Sequence, residues 1–168
     1  SKNNSNRFYL FGLRTLDIII SIIGIISLLI VIPFIFIGNL IGNKGPLFYT
    51  QERVGQNSNT FRIYKLRSMV QNAEKDGAVW AGKNDSRITS FGKFLRNTRL
   101  DESPQFFNIL KGDMSIIGPR PERPEFVKSL EKEIPFYPIR HVVRPGLTGW
   151  AQVNYPYANT IEEQEIKL

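Results

Sequence analysis

The chain has 168 residues, a net charge of +7 at pH 7, no cysteine and one histidine, His141. The lack of cysteine excludes disulfides, thiolate nucleophiles and Cys-ligated zinc or iron–sulfur sites, and one histidine excludes a multi-histidine metal site. Any metal ion should therefore be a hard cation held by oxygen, for which Mg²⁺ is the first candidate. The basic excess indicates an anionic partner, such as nucleic acid, anionic lipid or a phosphorylated substrate.

An apolar segment near the N-terminus predicts a membrane helix. From Ile18 to Gly38 no residue is charged, and a membrane helix needs ~20 apolar residues. The segment is too apolar on all sides for a helix with one face in water. It also exceeds the ~7–15 residues of the apolar region in a signal peptide. Residues 1–42 are therefore interpreted as a polar start followed by a membrane helix.

Pro33 lies inside this segment and leaves two topologies open. Its ring clashes with the carbonyl of Leu29 and it lacks a backbone donor, so a bend or break is expected there. Basic residues flank the apolar run on both sides, with Arg14 before it and Lys44 after it, whereas a spanning helix usually concentrates positive charge on one side. The helix either spans the membrane or breaks at Pro33 and returns to the same face.

Residues 43–168 predict a small α+β domain without βαβ alternation. The β-rich segments Leu47–Val54 and Phe61–Met69 flank a polar, glycine-containing stretch, which is typical of a β-hairpin. Residues 73–85 are expected to form a loop, and the prolines beyond residue 133 make the remainder loop-rich. Three short helices are predicted: residues 91–97 with Ser90 as N-cap, Ser103–Gly112 with Ser103 as N-cap and Pro104 at the first position, and residues 125–133.

The adjacent carboxylates Asp101 and Glu102 stand just before the second of these helices. At a helix N-terminus both should stay ionised, and taken alone they are equally consistent with a capping pair. Their surroundings favour chemistry, because a carboxylate pair among arginines and lysines suits a phosphate together with Mg²⁺. Lys65 and Arg67 are expected to project from one face of the second predicted strand, because alternate residues share a face. The other basic side chains concerned are Arg96, Arg99 and Arg120.

Arg120 is held between Pro119 and Pro121. Proline fixes φ and restricts the residue before it, so the guanidinium can meet a phosphate in one geometry. A turn with an exposed arginine is the simpler alternative. Arg144 adds positive charge near a second proline turn, and His141 is interpreted as a structural residue.

Four long segments resemble the bacterial sugar transferases called monotopic phosphoglycosyl transferases, or polyprenyl-phosphate hexose-1-phosphate transferases. They are GPLFYTQERVG, FRIYKLRSM, FGKFLRNTRLDESPQFFNILKGDMSIIGPRP and RHVVRPGLTGWAQVN, and the resemblance runs from about Arg14 to Asn154. It implies that Asp101 is a covalent nucleophile and Glu102 a Mg²⁺ ligand. It also implies phosphate binding by Lys65, Arg96 and Arg120, with Arg67, Arg87, Pro119, Pro121 and Arg144 as secondary candidates.

The same resemblance implies a reaction and a location. A nucleoside diphosphate sugar, commonly UDP-linked, would give its sugar-1-phosphate to Asp101 and release UMP. A membrane polyprenyl phosphate would then attack the phospho-Asp, in the first membrane step of exopolysaccharide, capsule or O-antigen assembly. The membrane helix would be re-entrant with both ends cytoplasmic, followed by a small cytoplasmic domain with a β-hairpin and short interfacial helices. Under this interpretation we expect no nucleic-acid partner; the sugar and the oligomeric state are left open.

Two features depart from the family pattern. The proline pair in the helix is Ile32-Pro33 rather than Ser-Pro, and the family continues with an aromatic, acidic segment past the position of Leu168. The domain at residues 43–168 is therefore expected to be truncated at its C-terminus. Two other functions remain open: a membrane-anchored basic module that binds anionic lipid or nucleic acid, and a phosphatase with an aspartate nucleophile.

Overall fold

The structure is a computed structural model that describes residues 2–75, 77, 79 and 85–155. Parts of the predicted loop at residues 73–85 and the whole C-terminal stretch 156–168 lie outside the described residues. The described elements are α1 (Lys2–Gly42), β1 (Phe48–Val54), β2 (Thr60–Leu66), α2 (Ser90–Asn97), α3 (Gln105–Lys111), β3 (Ser115–Ile117), α4 (Pro124–Glu133), β4 (Gly146–Thr148) and α5 (Trp150–Asn154), with 3₁₀ turns at Gln56–Ser58, Leu100–Glu102 and Tyr137–Val142.

The predicted hairpin is confirmed. Strands β1 and β2 are antiparallel, with Phe48 opposite Leu66 and Val54 opposite Thr60. The prediction extended the second strand to Met69, but β2 ends at Leu66. Beyond that point the chain turns toward α2, where the carbonyl of Ser68 accepts a hydrogen bond from the Thr89 amide at 3.1 Å.

The mixture of helices and strands agrees with the predicted α+β class, with one correction. Strands β3 and β4 pair in parallel, with Ser115 opposite Gly146 and Ile117 opposite Thr148. Parallel strands need a crossover connection, and this one contains α4. The prediction of no βαβ alternation is therefore wrong at this point. Both strands have three residues, which is too short for a periodic pattern to show in the sequence.

The predicted helix starts are shifted by one or two residues. Helix α2 is capped by Thr89, whose hydroxyl accepts a hydrogen bond from the Gly92 amide at 2.9 Å, and Ser90 is its first residue. Ser103 does not cap α3. Its hydroxyl donates instead to the Leu100 carbonyl at 2.7 Å, inside the 3₁₀ turn. Asp101 and Glu102 lie within this 3₁₀ turn, and not directly before the first residue of α3.

Gly112 ends α3 as the sequence predicted. It adopts φ +99°, a left-handed conformation that glycine tolerates best, and its amide donates to the carbonyls of Asn108 and Ile109 at 3.0 Å. Arg14 of α1 binds the same end of α3, donating to the Ile109 carbonyl at 2.6 Å and the Leu110 carbonyl at 2.7 Å. The C-terminus of α3 is therefore fixed by both a glycine and a cation.

Helix α1 runs from Lys2 to Gly42 without interruption, so it continues through Pro33. The helix has no gap at Pro33, so the predicted break is not observed. A continuous helix can still bend at a proline. Among the described residues α1 is the one helix that is long and apolar enough to cross a membrane, judged by length and composition over Arg7–Gly42.

One stripe of α1 packs against the rest of the chain. Leu28 and Ile35 are buried with Leu66 of β2 and Leu95 of α2. At Gly24, a Cβ atom would lie only 2.4 Å from the Phe106 ring of α3, so that helix approaches α1 closely. The other side of α1 exposes its large apolar residues, in agreement with the predicted membrane helix.

Two further clusters complete the core. Ile63 of β2 packs with Ile109 and Met114, and Val54 of β1 packs with residues of α4 and the turn after it. Strand β2 therefore lies between α1, α2 and α3. The 3₁₀ turn Leu100–Glu102 contacts both α2 and β2, which places the two adjacent carboxylates against the hairpin.

Candidate active site

The two adjacent carboxylates are buried, each residue being 9% exposed. Arg99, the residue before their 3₁₀ turn, adopts φ +60°. A left-handed backbone is uncommon for residues other than glycine and is frequent at functional sites. The turn thus holds Asp101 and Glu102 away from solvent in a conformation with a local energetic cost, and their surroundings decide what each carboxylate can do.

Glu102 is neutralised by two cations. Lys65 of β2 donates to its Oε1 at 3.1 Å and Arg120 donates to the same oxygen at 3.2 Å. Burial alone would raise the pKa of Glu102, but the two cations outweigh burial and lower the pKa to about 2. Burial lowers the pKa of Lys65, and Glu102 opposes that shift. Glu102 is therefore an ionised carboxylate near neutral pH.

Asp101 has a different environment. Its Oδ1 is buried and makes no hydrogen bond within the described part of the chain. Burial raises the pKa of Asp101 and the adjacent Glu102 adds to that rise, while Lys65 and Arg96 oppose it. The pKa of Asp101 is therefore raised while that of Glu102 is lowered, whereas the sequence predicted that a helix N-terminus would favour the ionised form of both. Such a separation is typical of acidic pairs with divided roles.

Arg120 and its two prolines are fixed through the backbone. The Pro119 carbonyl accepts from the Gly146 amide at 2.9 Å, and the Arg120 carbonyl accepts from Arg140 at 2.9 Å. The Pro121 carbonyl accepts from Arg53 at 3.1 Å. Three successive carbonyls are thus held by other elements, which supports the predicted single geometry for the guanidinium.

Arg96 reaches the same site from the last turn of α2. Its Nε donates to the Ser68 hydroxyl at 2.8 Å, and its charge lowers the pKa of Asp101. The segment after β2 approaches α2 very closely, since a Cβ atom on Gly92 would lie 1.8 Å from the Ser68 carbonyl oxygen. The glycine therefore allows the contact that positions Arg96.

Arg67, a secondary candidate, is not at this site. It is buried at the end of α1, where it donates to the Asn43 backbone carbonyl, to Asn43 Oδ1 at 3.0 Å, and to the carbonyls of Pro46 and Met69 at 2.7 and 2.8 Å. The expectation that Lys65 and Arg67 share one strand face is wrong, because β2 ends before Arg67. Arg67 instead forms an anchor for α1 with Asn39 and Asn43.

Arg87 and Arg144 also make no contact with the two carboxylates among the described residues. Arg87 is engaged by Asp85, with Nη2 and Oδ2 2.5 Å apart, and by the Ala73 carbonyl at 3.0 Å. Arg144 is exposed, and its backbone carbonyl faces Gly118. Of the predicted phosphate-binding cations, Lys65 and Arg120 therefore contact Glu102, and Arg96 acts on Asp101 through its charge. The three basic secondary candidates, Arg67, Arg87 and Arg144, make no contact with the acidic pair among the described residues.

A cavity of about 10 Å³ lies beside Glu102, which is room for roughly one water-sized group. Its lining includes two residues that the sequence reasoning missed, Arg53 and Gln105. Arg53 is opposite Phe61 in the hairpin, so it faces the same side as Lys65. The register of the hairpin could have revealed it. Burial lowers the pKa of Arg53 to about 10, with Glu122 opposing.

The acidic pair fits Mg²⁺ that is completed by a substrate. Within the described ranges no group of three or more Asp, Glu, His or Cys residues converges, so the chain offers no closed metal cage there. Mg²⁺ is usually held by one or two carboxylates together with substrate phosphates and water. Both cations contact Oε1 of Glu102, and this carboxylate lines the small cavity beside them. Glu102 is therefore the residue that would hold the ion.

Comparison with known proteins identifies the family. The family model described as bacterial sugar transferase matches residues 8–168, which is most of the chain. The chain therefore belongs to the bacterial sugar transferases, in agreement with the resemblance found in its sequence. The match includes the acidic pair, the cations around it and most of α1.

The names of three relatives include the same lipid, undecaprenyl phosphate. The chain is 48% identical, over 95% of its length and 38% of the relative, to UDP-N-acetylgalactosamine-undecaprenyl-phosphate N-acetylgalactosaminephosphotransferase of Aeromonas hydrophila. It is 42% identical, over 90% of its length and 31% of the relative, to UDP-glucose:undecaprenyl-phosphate glucose-1-phosphate transferase of Xanthomonas campestris pv. campestris. A Bacillus subtilis (strain 168) protein, provisionally named an undecaprenyl-phosphate N-acetylgalactosaminyl 1-phosphate transferase, is 52% identical over 79% of this chain and 74% of that protein. The chain thus spans about a third of two of these relatives.

Proposed function

We propose that the chain transfers a sugar-1-phosphate from a UDP-sugar to undecaprenyl phosphate through a covalent phospho-Asp101 intermediate. The observation that carries this proposal is the asymmetry of the acidic pair. Glu102 is neutralised by Lys65 and Arg120, whereas Asp101 Oδ1 is buried and accepts no hydrogen bond from any residue in the described ranges. A nucleophilic carboxylate needs an oxygen that no donor occupies.

In the first half-reaction an Asp101 oxygen attacks the phosphorus that carries the sugar. The new oxygen–phosphorus bond forms as the bond to the bridging anhydride oxygen breaks, and that oxygen leaves with UMP and the electron pair. The repulsion between a carboxylate and a diphosphate grows several-fold in a buried site. Lys65, Arg96 and Arg120 offset it. Mg²⁺, when bound, supplies further neutralisation of the diphosphate charge.

In the second half-reaction a polyprenyl phosphate oxygen attacks the same phosphorus and the Asp101 carboxylate leaves. The acyl phosphate is an activated linkage, so one anhydride is exchanged for another and no ATP is required. Membership of the sugar transferase family favours this reaction over a basic binding module and over a phosphatase. It also supports a role in surface glycan assembly, such as exopolysaccharide, capsule or O-antigen synthesis.

The contacts of α1 support a topology in which both ends of the helix are on one face of the membrane. Near its start, Arg14 binds carbonyls of α3, and near its end Asn43 is bound by Arg67. Both ends of the apolar segment therefore touch the same folded domain. A helix that spans a bilayer separates its ends by ~30 Å of hydrocarbon. We propose that α1 is monotopic, re-entering on the cytoplasmic face.

Helices α2 and α3 also expose large apolar side chains. They pack against α1 and expose Phe94, Phe107 and Leu110, which is the arrangement of helices that lie at a membrane interface. The active site would then open at the level of the lipid headgroups, where the phosphate of a polyprenyl chain is found.

Release of UMP tests the function. The purified chain, in lipid nanodiscs with Mg²⁺, is incubated with UDP-N-acetylgalactosamine or UDP-glucose, with and without undecaprenyl phosphate. We expect sustained UMP release only with the lipid acceptor, and a sugar-phosphate adduct on the protein without it. Release of inorganic phosphate would identify a phosphatase, and no adduct or turnover with any UDP-sugar would contradict the proposal.

Labelling of single cysteines tests the topology. The chain has no cysteine, so Ser5→Cys and Lys44→Cys each introduce one thiol, at the two ends of α1. In sealed inverted vesicles, an impermeant thiol reagent should label both positions equally. Protection of either position would show that α1 spans the membrane.

A further inference from the structure

Gln105 carries a buried donor without a partner. It is the first residue of α3, four residues after Asp101, and it is 3% exposed. Its amide nitrogen Nε2 is buried and makes no hydrogen bond within the described part of the chain. Buried polar groups in native proteins are nearly always paired, so an orphan in a site points to a ligand that pairs it.

The surroundings of Gln105 define the chemistry of that ligand. Gln105 lines the same small cavity as Glu102, together with three cations, Arg53, Lys65 and Arg120. An N–H donor is satisfied by an acceptor and not by a metal ion. Three cations against one carboxylate favour an anion. An oxygen of a phosphate meets both conditions.

A second orphan lies on the same segment. Within residues 2–75, 77, 79 and 85–155, Asp101 Oδ1 is a buried acceptor without a donor and Gln105 Nε2 is a buried donor without an acceptor, yet the two atoms do not bond to each other. A phosphoryl group joined to Asp101 places new acceptor oxygens on that aspartate. The two orphans are therefore both explained by one event, the attachment of a phosphoryl group.

We propose that Gln105 contacts the substrate, donating a hydrogen bond from Nε2 to a non-bridging oxygen of the phosphoryl group that Asp101 accepts. This inference rests on the proposed function. Gln105 keeps its proton throughout: the bonds that change are those of phosphorus to Asp101 and to the departing UMP. Lys65 and Arg120 are shared with Glu102, whereas the Gln105 donor is held by no other group in the described ranges. The Gln105 donor can therefore bind the transferred phosphoryl group without giving up another contact.

Two substitutions separate this role from a structural one. Gln105→Met keeps the approximate size and removes the donor, and Gln105→Glu replaces the donor by an anion. We expect adduct formation to slow at least tenfold in Gln105→Met and at least a hundredfold in Gln105→Glu. The melting temperature of Gln105→Met should stay level or rise, because an unpaired buried amide is replaced by an apolar side chain.

The matched control is Gln56→Met. Gln56 lies in the hairpin turn and its amide already donates to the Val142 carbonyl at 3.0 Å, so its adduct formation should stay within twofold of wild type. Gln105→Met that forms adduct at the wild-type rate would overturn the inference and leave the proposed function standing. So would a lower melting temperature together with normal adduct formation per folded molecule, since Gln105 would then be structural.

Calorimetric binding of Mg²⁺–pyrophosphate gives a readout that does not need turnover. We expect binding to weaken at least tenfold in Gln105→Glu relative to wild type and to be unchanged in Gln56→Met. Weakened binding in a chain that forms no adduct with any UDP-sugar would support Gln105 as an anion contact while the proposed transferase reaction fails. Equal binding by wild type and Gln105→Glu would overturn the contact itself.

Discussion

Two buried polar clusters of this chain differ in how far their groups are paired. In the helix anchor, formed by Asn39, Asn43 and Arg67, every nitrogen of the guanidinium donates to an oxygen, and both asparagine amides are bonded. In the catalytic cluster, formed by Asp101, Glu102 and Gln105, the atoms Asp101 Oδ1 and Gln105 Nε2 are buried and have no hydrogen-bond partner among the residues that the structure describes.

The difference separates structural from ligand-binding burial of polar groups. A cluster whose donors and acceptors are all hydrogen-bonded gains rigidity from each contact and offers no free group to a ligand. A cluster with orphan groups bears a cost in free energy that a substrate can relieve. Substitutions in the anchor should therefore reduce stability, and substitutions of Asp101 or Gln105 should reduce activity with little loss of stability.

The largest effect is expected from Asp101→Asn. The substitution removes the nucleophile and should abolish the sugar-phosphate adduct, as measured by intact mass. The melting temperature should stay level or rise, because burial raises the pKa of Asp101 and its charge is therefore unfavourable in the folded chain. An adduct that persists in Asp101→Asn would show that another residue is the nucleophile.

Arg67→Met should show the opposite profile. It leaves several buried acceptors without a donor, and removing one partner from a buried charged cluster costs roughly 3–5 kcal/mol. We expect a matching fall in the free energy of unfolding, measured by urea titration in detergent, with near-normal adduct formation per folded molecule. Arg62→Met, at an exposed arginine of β2, is the control and should change stability little. An Arg67→Met chain that is stable but forms no adduct would indicate that Arg67 binds the substrate phosphate.

The pH dependence of stability tests the ion pairs of Glu102. Its folded pKa is about 2, below the ordinary 4.5, so its stabilising contribution is complete above pH 4.5 and is lost as the pH falls toward 2. The shift corresponds to about 3 kcal/mol at most. Urea titrations at pH 7, 4.5 and 3 should show this loss in the wild type and a smaller one in Glu102→Gln. Equal slopes for the two proteins would mean that the ion pairs do not stabilise the fold.

Arg120 is expected to show a smaller effect on the rate. A lost contact between a phosphate and a charged donor is worth roughly 1.5–3 kcal/mol, or ten- to a hundredfold in rate. Arg120→Ala should slow UMP release by that factor, and Arg120→Lys should recover part of it, because lysine cannot bind in a bidentate fork. Lys128→Ala, at an exposed position on α4, should have no effect. A normal rate in Arg120→Ala would make the residue structural.

The elements that could be predicted from the sequence are those with a local signal. The hairpin, the glycine end of α3 and the acidic pair could be predicted because turn residues, a C-terminal glycine and adjacent carboxylates are visible in a short window. Arg67 was misplaced because strand alternation was extended past the true end of β2. Gln105 was missed because an unpaired amide is a property of the packed structure and leaves no pattern in the sequence.

The apolar helix hid a second pattern. Asp17 and Ser21 of α1 are buried on the stripe that packs against the domain, as are Asn39 and Asn43 near its end. Asp17 Oδ1 accepts hydrogen bonds from the Ser115 hydroxyl and the Ile116 amide at 3.0 and 2.9 Å. Polar residues at helical spacing along one stripe of an otherwise apolar helix indicate a docking face rather than a lipid face. The sequence contains this pattern, but the high hydropathy of the whole segment concealed it.

The smallest effect is expected from Pro33→Leu, and it tests what sets the topology of α1. Pro33 is exposed on the face opposite the docking stripe, and leucine would restore the helical hydrogen bond to the Leu29 carbonyl. Because the contacts of Arg14 and Asn43 with the domain are unchanged, both single-cysteine positions should still be labelled equally and UMP release should stay within about threefold, less than the roughly tenfold effect of a lost charged contact. Protection of the thiol at position 5 in Pro33→Leu would mean that the proline, and not the docking of both helix ends, keeps α1 on one face of the membrane.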